Sequence, residues 1–275
     1  MTNSVQHLIP YLVVAFIYMA VATDFWRSTK QSSSAEHAHA LKLHSAMIAL
    51  GLTLHGGLLY RDIFAVGGFN FGLFYALSAI FWLTALIYWL ANLKHKIDNL
   101  QAFVLPPAAL FVLLSAMTIK DYVAPHTEAS WFMAHVSVAI LAYSLFTFAA
   151  MHALLMAVAE RTLHNKSTLI KLPSFPPLMV MESLLFKVIG LGFALLTLTL
   201  VSGMLFSEQI FGQPLQFNHK IIFSVASWLI YGWLLFGRFK YGWRGRKAIR
   251  WTLSGFGLLL LAYIGSKFVY EVLLK

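Results

Sequence analysis

Eight apolar segments follow one another along the 275 residues and are separated by short polar connections. A helix needs roughly 20 apolar residues to cross the hydrocarbon of a bilayer. Only 11% of the residues are charged and 60% are hydrophobic, a balance outside the range of soluble domains. The sequence therefore predicts an all-α, polytopic integral membrane protein that forms one domain over residues 1–275. The predicted transmembrane helices lie at 8–26, 43–60, 69–92, 102–119, 131–157, 183–206, 220–236 and 250–270.

The basic residues indicate how these helices are oriented. Connections after the odd-numbered spans carry thirteen Lys and Arg residues, whereas those after the even-numbered spans carry two. The positive-inside rule places the basic connections in the cytoplasm and both termini on the extracytoplasmic side. We therefore interpret the formal net charge of +10 as an orientation signal. The expected partner is the lipid bilayer of a bacterial inner membrane, and no nucleic acid is expected.

The residue types that are missing exclude several kinds of chemistry. The chain has no cysteine, which excludes disulfides, thiolate metal ligands and covalent attachment of haem to this chain. No phosphate-binding glycine loop, zinc-protease motif or nucleophile constellation is visible. No Asp or Glu lies at the middle of a predicted span, where proton-coupled transporters usually carry one. The sequence predicts that the protein is not an enzyme.

Three histidines fall at the same end of three different predicted spans: His55, His135 and His219. Polar residues inside a membrane are costly and are functional candidates by default. Neutral imidazole is a common axial ligand of haem iron and a common metal ligand. A histidine at a helix end can also bond only a loop carbonyl or water. We predict His55, His135 and His219 as cofactor-binding residues, with His135 and His219 as the ligands of the metal.

Residues 131–145, WFMAHVSVAILAYSL, resemble the HVSxxILSY-type span of the cytochrome c assembly protein family of CcsA- and ResC-like haem-handling membrane proteins. The resemblance continues through residues 182–203, through HKIIFSVASW at 219–228 and through GWRGRKA at 242–248. It is strongest to the small YpjD/HemX-like branch. The resemblance implies haem as the cofactor and other haem or cytochrome assembly proteins as partners. By position, His135 matches the family histidine that ligates haem on the outer side.

The chain departs from this family at the loop before the seventh span. The family carries a tryptophan-rich signature there, whereas residues 207–218 read SEQIFGQPLQFN and contain no tryptophan. The second outer histidine of the family matches Leu274, and His219 would take its place. The resemblance therefore implies membrane haem binding or handling related to cytochrome c biogenesis, in an accessory or regulatory role. The second axial ligand, His219 or His55, remains open, as does the direction of haem movement.

Two other classes of function also remain open. A divalent-cation or small-metabolite transporter or channel would use an outer mouth formed by His55, His126, Glu128 and His135. The missing midplane acid counts against it. A membrane scaffold would instead recruit a cytoplasmic enzyme through residues 173–181 and the basic residues 238–250.

Overall fold

The structure is a computed structural model that describes residues 2–28, 34–63, 72–95, 98–117, 130–164, 176–205, 207 and 219–265. Within these ranges the chain is helical, which confirms the predicted all-α class. The helices are α1 (Thr2–Ser28), α2 (Ser34–Ile63), α3 (Leu73–His95), α4 (Asp98–Ala116), α5 (Ser130–His164), α6 (Leu178–Leu205), α7 (His219–Tyr241) and α8 (Arg246–Leu260), the last continued by a π-helical segment, Leu261–Gly265.

A helix occupies each of the eight predicted positions, and six of them are long and apolar enough to cross a membrane. The exceptions are α4, with a shorter apolar stretch over Leu100–Ala116, and α8, with 15 residues. The polytopic membrane class is therefore confirmed. The crossing of the membrane by α4 and α8, the orientation and the extracytoplasmic termini stay predictions.

The start of α4 differs from the sequence expectation. The apolar pattern predicts a fourth span over residues 102–119. The helix α4 begins earlier, at Asp98, and Pro106 and Pro107 lie inside it. The residues just before the prolines are Gln101 to Leu105, which are apolar apart from Gln101 and are largely buried. Burial of these side chains favours the continued helix over an early break.

Helices α1 to α4 form one compact unit. In it, α1 packs against α2 and α4, and α3 packs against the same two helices. Fully buried tyrosines and aliphatic side chains fill the interior between them, among them Tyr18, Tyr88, Ile48 and Leu105. Polar groups at this depth need partners inside the bundle, since lipid provides none.

Helices α5 to α8 form a second compact unit, in which neighbouring helices run antiparallel. Three contacts between α5 and α6 show this, because they come in opposite order along the two helices: His135 with Ser202, Phe146 with Gly192, and His152 with Met181. The end of the second unit that carries His135 therefore also carries the last turns of α6.

The remaining helices of the second unit continue the antiparallel order. On α7, Trp228 lies at the level of Thr197 of α6, and Gly232 lies at the level of Phe193. The α7–α8 pair is held by a hydrogen bond from the Ser227 hydroxyl to the Gly255 carbonyl, 2.8 Å long. The first turn of α7 therefore lies at the same end of the unit as His135. The prediction of one domain over residues 1–275 stays a prediction.

Candidate functional site

His135 lies in the second turn of α5 and is half-buried. Its Nδ1 lies 2.8 Å from the hydroxyl oxygen of Ser202, in the last turns of α6. The Ser202 hydroxyl in turn donates to the carbonyl oxygen of Thr199, 3.1 Å away. A chain of two hydrogen bonds therefore connects the imidazole to the backbone of the neighbouring helix.

This chain favours one of the two neutral tautomers of His135. A serine hydroxyl has one hydrogen and two lone pairs. Because the hydrogen of Ser202 goes to the Thr199 carbonyl, its oxygen accepts from Nδ1–H of His135. In that tautomer Nε2 carries the lone pair, which is the form in which histidine ligates a metal, with the other ring nitrogen bonded to a neighbouring group.

On one side of His135 the helix α6 comes close to the ring, and the helix ends near it expose apolar side chains. A Cβ atom at Gly203 would lie 3.3 Å from Cε1 of His135, so α6 approaches the ring closely because residue 203 has no side chain. Large apolar side chains nearby in sequence are exposed, including Met133, Met204 and Leu205. An apolar ligand such as a porphyrin requires surface of this kind.

His219 is the first residue of α7 and is exposed. The contacts between α6 and α7 place Ser202 at the level of Phe223. His219 begins the helix four residues earlier, which is ~6 Å further along the axis at the α-helical rise. His135 and His219 thus lie at the same end of the second unit, His135 between helices and His219 at the exposed rim.

His55 belongs to the first unit and is fully buried. Its Nε2 lies 2.9 Å from the hydroxyl of Ser78 on α3, and its Nδ1 lies 3.3 Å from the phenol oxygen of Tyr18 on α1. Both ring nitrogens are therefore engaged, and the imidazole connects three helices. This is the hydrogen bonding expected of a histidine that stabilises a helix bundle.

Two further histidines bond to groups within their own units. In the first unit, Nε2 of His44 lies 2.6 Å from a carboxylate oxygen of Asp24. In the second, Nε2 of His152 donates to the Met181 carbonyl oxygen, 3.0 Å away, and the ring is fully buried. His44 lies well away from His55 along α2, and His152 lies well away from His135 along α5. Contacts within their own units explain both histidines.

Several residues named in the sequence predictions lie outside the described residues. Among the described ones, no group of three or more His, Cys, Asp or Glu side chains is placed to hold a metal ion. The roles predicted for His55, His135 and His219 in binding a cofactor, and for His135 and His219 as metal ligands, stay predictions. The residues outside the described ranges are His126, Glu128, the loop residues 208–218, residues 173–175 and Leu274.

Sequence reasoning missed the partners of the histidines: Ser202, Tyr18 and Ser78. A signal for Ser202 was present, since a serine directly before Gly203 stands at the end of span 6 that faces the His135 end of span 5. Tyr18 and Ser78 lie inside otherwise apolar spans, where each polar side chain needs a partner within the protein. Matching such residues by depth across neighbouring spans would have made all three candidates.

The profile of the family described as Cytochrome C assembly protein matches residues 41–274, which is most of the chain. The chain is a multispan membrane protein, and it belongs to the cytochrome c assembly protein family.

Individual relatives agree with this membership. The inner membrane protein YpjD of Escherichia coli is 30% identical over 167 residues, which cover 60% of this chain and 62% of YpjD. The alignment thus spans less than two thirds of that relative. An uncharacterised 28.8 kDa protein of Azospirillum brasilense is 32% identical over 206 residues, 72% of this chain and 76% of that protein. The cytochrome c biogenesis protein CcsA of Chlamydomonas reinhardtii is 26% identical over 163 residues, 59% of this chain and 45% of CcsA.

The predicted location in a bacterial inner membrane, crossed several times, is confirmed. The structure has six helices that are long and apolar enough to span a membrane within its described residues. The similar YpjD is an inner membrane protein.

Proposed function

We propose that this protein handles haem in the inner membrane and binds it through His135 at one end of the second unit. The observation that carries the proposal is the hydrogen-bond chain from His135 through Ser202 to the Thr199 carbonyl. This chain orients the imidazole and favours the tautomer whose Nε2 lone pair can ligate iron. Membership in the cytochrome c assembly protein family supports haem as the ligand.

The residues around His135 fit a haem group in three respects. The ligand is a neutral imidazole oriented by a second side chain, as in most histidine metal sites. Gly203 lets α6 approach the ring closely, and the neighbouring helix ends expose apolar side chains. Bound haem would supply an iron whose absorption spectrum changes with its oxidation state and axial ligands.

His219 is the better candidate for a second ligand. It lies at the same end of the second unit and is exposed, so its ring can turn toward a bound group. His55 has both nitrogens engaged by Tyr18 and Ser78, and binding iron would break one of these buried hydrogen bonds. We therefore assign His55 a structural role in the first unit and His219 the auxiliary role beside His135.

We infer that the role is accessory or regulatory and not enzymatic. The loop before α7 has no tryptophan platform on which haem could be presented to another protein. Other haem or cytochrome assembly proteins are the proposed partners. A transporter for divalent cations or small metabolites is less well supported, because no Asp or Glu lies at the middle of a predicted span.

The test is a haem titration of the detergent-purified full chain, followed by absorption spectroscopy before and after reduction. The wild type is expected to give a saturable Soret band that shifts on reduction, and His135→Ala is expected to lose it. His152→Ala is a matched control, because His152 lies on the same helix well away from His135 and bonds the Met181 carbonyl of α6. Its haem spectrum should match the wild type.

The proposal would be overturned by a folded wild type that shows no saturable haem spectrum. It would equally be overturned by a folded His135→Ala variant that binds haem like the wild type. His219→Ala separates the two possible arrangements: a shifted spectrum supports His219 as second ligand, and an unchanged one leaves His135 as the sole ligand from this end. Size-exclusion chromatography confirms that each variant is folded.

A further inference from the structure

The turn between α7 and α8 is a rigid structure built around Trp243. Gly242 and Gly245 have φ angles of 64° and 54°, the left-handed region in which glycine carries no steric cost. The amide of Trp243 donates to the Gly237 carbonyl, 3.2 Å away. The Trp243 ring lies directly on Gly237, where a Cβ atom would come within 2.4 Å of it. Any side chain at residue 237 would therefore displace the indole.

Aromatic rings surround this tryptophan. Trp251 of α8 stacks on Trp243 with ring centroids 6.2 Å apart, and Tyr241 stacks on it at 6.3 Å. Trp233 meets it edge-on at 5.9 Å. Tryptophan and tyrosine prefer the boundary between lipid tails and headgroups, because their rings are apolar and their N–H or O–H groups are polar. We therefore expect the turn to lie at headgroup depth.

Six cations belong to this turn and the adjoining helix ends, and among the described residues two carboxylates pair with three of them. Glu182, which is buried, accepts from Arg238 at 2.6 Å and from Arg244 at 2.8 Å. Glu160 accepts from Arg246 at 2.8 Å. The other three are exposed and have no carboxylate partner among the residues that the structure describes. They are Lys240, Lys247 and Arg250.

The aromatic rings hold two of these three cations in place. The ammonium of Lys240 lies 5.5 Å from the Phe236 ring centre and 5.7 Å from that of Tyr241. The ammonium of Lys247 lies 5.6 Å from the Trp243 ring centre. Such cation–π contacts restrict the long lysine side chains to the level of the rings. The uncompensated charge therefore stays beside the rings at headgroup depth.

We propose that Lys240, Lys247 and Arg250 form a site for the phosphate headgroup of an anionic phospholipid. Next to these cations the end of α7 exposes large apolar side chains, with Phe239 at 93% and Trp233 at 48% of their surface accessible. A molecule that carries a negative headgroup on apolar tails matches both features. A soluble acidic partner would match the cations and leave the exposed rings of α7 uncovered.

The experiment compares two triple variants of the full chain in lipid nanodiscs, without added haem. The site variant is Lys240→Gln/Lys247→Gln/Arg250→Gln. The control variant, Lys42→Gln/Lys94→Gln/Arg161→Gln, removes the same charge from exposed positions on other connections predicted to face the cytoplasm. Each is prepared in phosphatidylcholine alone and in phosphatidylcholine with phosphatidylglycerol. The thermal unfolding midpoint is measured, and native mass spectrometry counts the retained phosphatidylglycerol.

Phosphatidylglycerol is expected to raise the unfolding midpoint of the wild type and of the control variant, and to leave that of the site variant almost unchanged. Retention of phosphatidylglycerol should fall about fivefold for each charge removed from the site, an effect that high salt weakens. Equal responses of the two triple variants to phosphatidylglycerol would overturn the proposed site, since they would show that the lipid is attracted by the net charge of the protein alone. An unresponsive wild type would overturn it as well. Neither outcome depends on whether haem binds at His135.

Discussion

His55 in the first unit and His135 in the second differ in their burial and in the hydrogen bonds around the ring. Each is a histidine on a membrane helix with a serine of a neighbouring helix as hydrogen-bond partner. His55 is fully buried and has the Tyr18 phenol at its second nitrogen. His135 is half-buried, and its serine is itself bonded to the Thr199 carbonyl.

The comparison shows how a histidine in a membrane protein can be assigned a role from its partners. Where both nitrogens are engaged and the ring is buried, the imidazole serves the bundle, because a lost hydrogen bond leaves a buried group unsatisfied. Where a second residue orients the ring near helix ends with exposed apolar side chains, the imidazole is the better candidate for a ligand. Each substitution is therefore compared with a matched variant or with a second measurement on the same variant.

The largest effect is expected from His135→Gly, which removes the proposed ligand and leaves a space of imidazole size. Haem binding should fall at least tenfold, as loss of even an outer-shell partner costs a metal site about tenfold or more. Millimolar imidazole added to the solution should restore the Soret band. The measurement is a haem titration with and without imidazole. The assignment would be contradicted by a variant that still binds haem without imidazole. It would also be contradicted by a variant that does not regain haem when imidazole is added.

His55→Leu should change stability and leave haem binding as it is. The substitution removes two hydrogen bonds and leaves Tyr18 and Ser78 without this partner inside the first unit. The expected loss is about 1–3 kcal/mol in the free energy of unfolding. Denaturant titration in detergent measures it, and a haem titration of the same preparation supplies the contrast. A variant of unchanged stability with weakened haem binding would reverse the roles assigned to the two histidines.

The serine partners provide a closer test, since Ser202→Ala and Ser78→Ala remove the same hydroxyl from the two sites. Ser202→Ala should weaken haem binding about tenfold, because the tautomer and orientation of His135 are no longer fixed. Ser78→Ala should lower the unfolding free energy by about 1 kcal/mol and leave haem binding unchanged. Paired haem and denaturant titrations distinguish them. Equal haem affinities for the two variants would show that Ser202 does not position the ligand.

The smallest effect is expected from Gly203→Ala, whose new methyl group would lie 3.3 Å from Cε1 of His135. The ring has to shift by a few tenths of an ångström, so the haem spectrum should move with a loss of affinity smaller than that of Ser202→Ala. Gly190→Ala on the same helix is the control, since nothing lies within 4 Å of its new Cβ. It should leave the haem spectrum unchanged and stabilise α6 by about 0.5–1 kcal/mol. Identical spectra for the two variants would place the bound group elsewhere.

Much of the fold could be predicted from the sequence, because hydrophobicity and length alone define membrane helices. All eight predicted positions are helical, and the family resemblance is confirmed by the match over residues 41–274. Helix ends were less predictable. For α5 the apolar pattern ends near residue 157, yet the helix runs on to His164 into polar sequence. Backbone hydrogen bonding continues a helix beyond the apolar residues that mark its span.

The site was predicted only in part, for a physical reason. The sequence places His55, His135 and His219 at the same end of their spans, but their environments depend on which residues of other helices reach them. Tyr18 lies 37 positions from His55, and Ser202 lies 67 positions from His135. Pairings at such separations follow from helix rotation and register, which a single sequence does not encode locally. The buried pairing of Asp62 with Tyr11 was missed in the same way.

The closed turn between α7 and α8 has a consequence for how the chain enters the bilayer. Within it, Arg238 bonds the Trp243 carbonyl at 3.2 Å and Trp243 covers Gly237. The turn is also tied to α5 and α6, because Glu160 accepts from Arg246 and Glu182 accepts from Arg238 and Arg244. The helices α7 and α8 can therefore meet as a helical hairpin before these ion pairs dock them on α5 and α6.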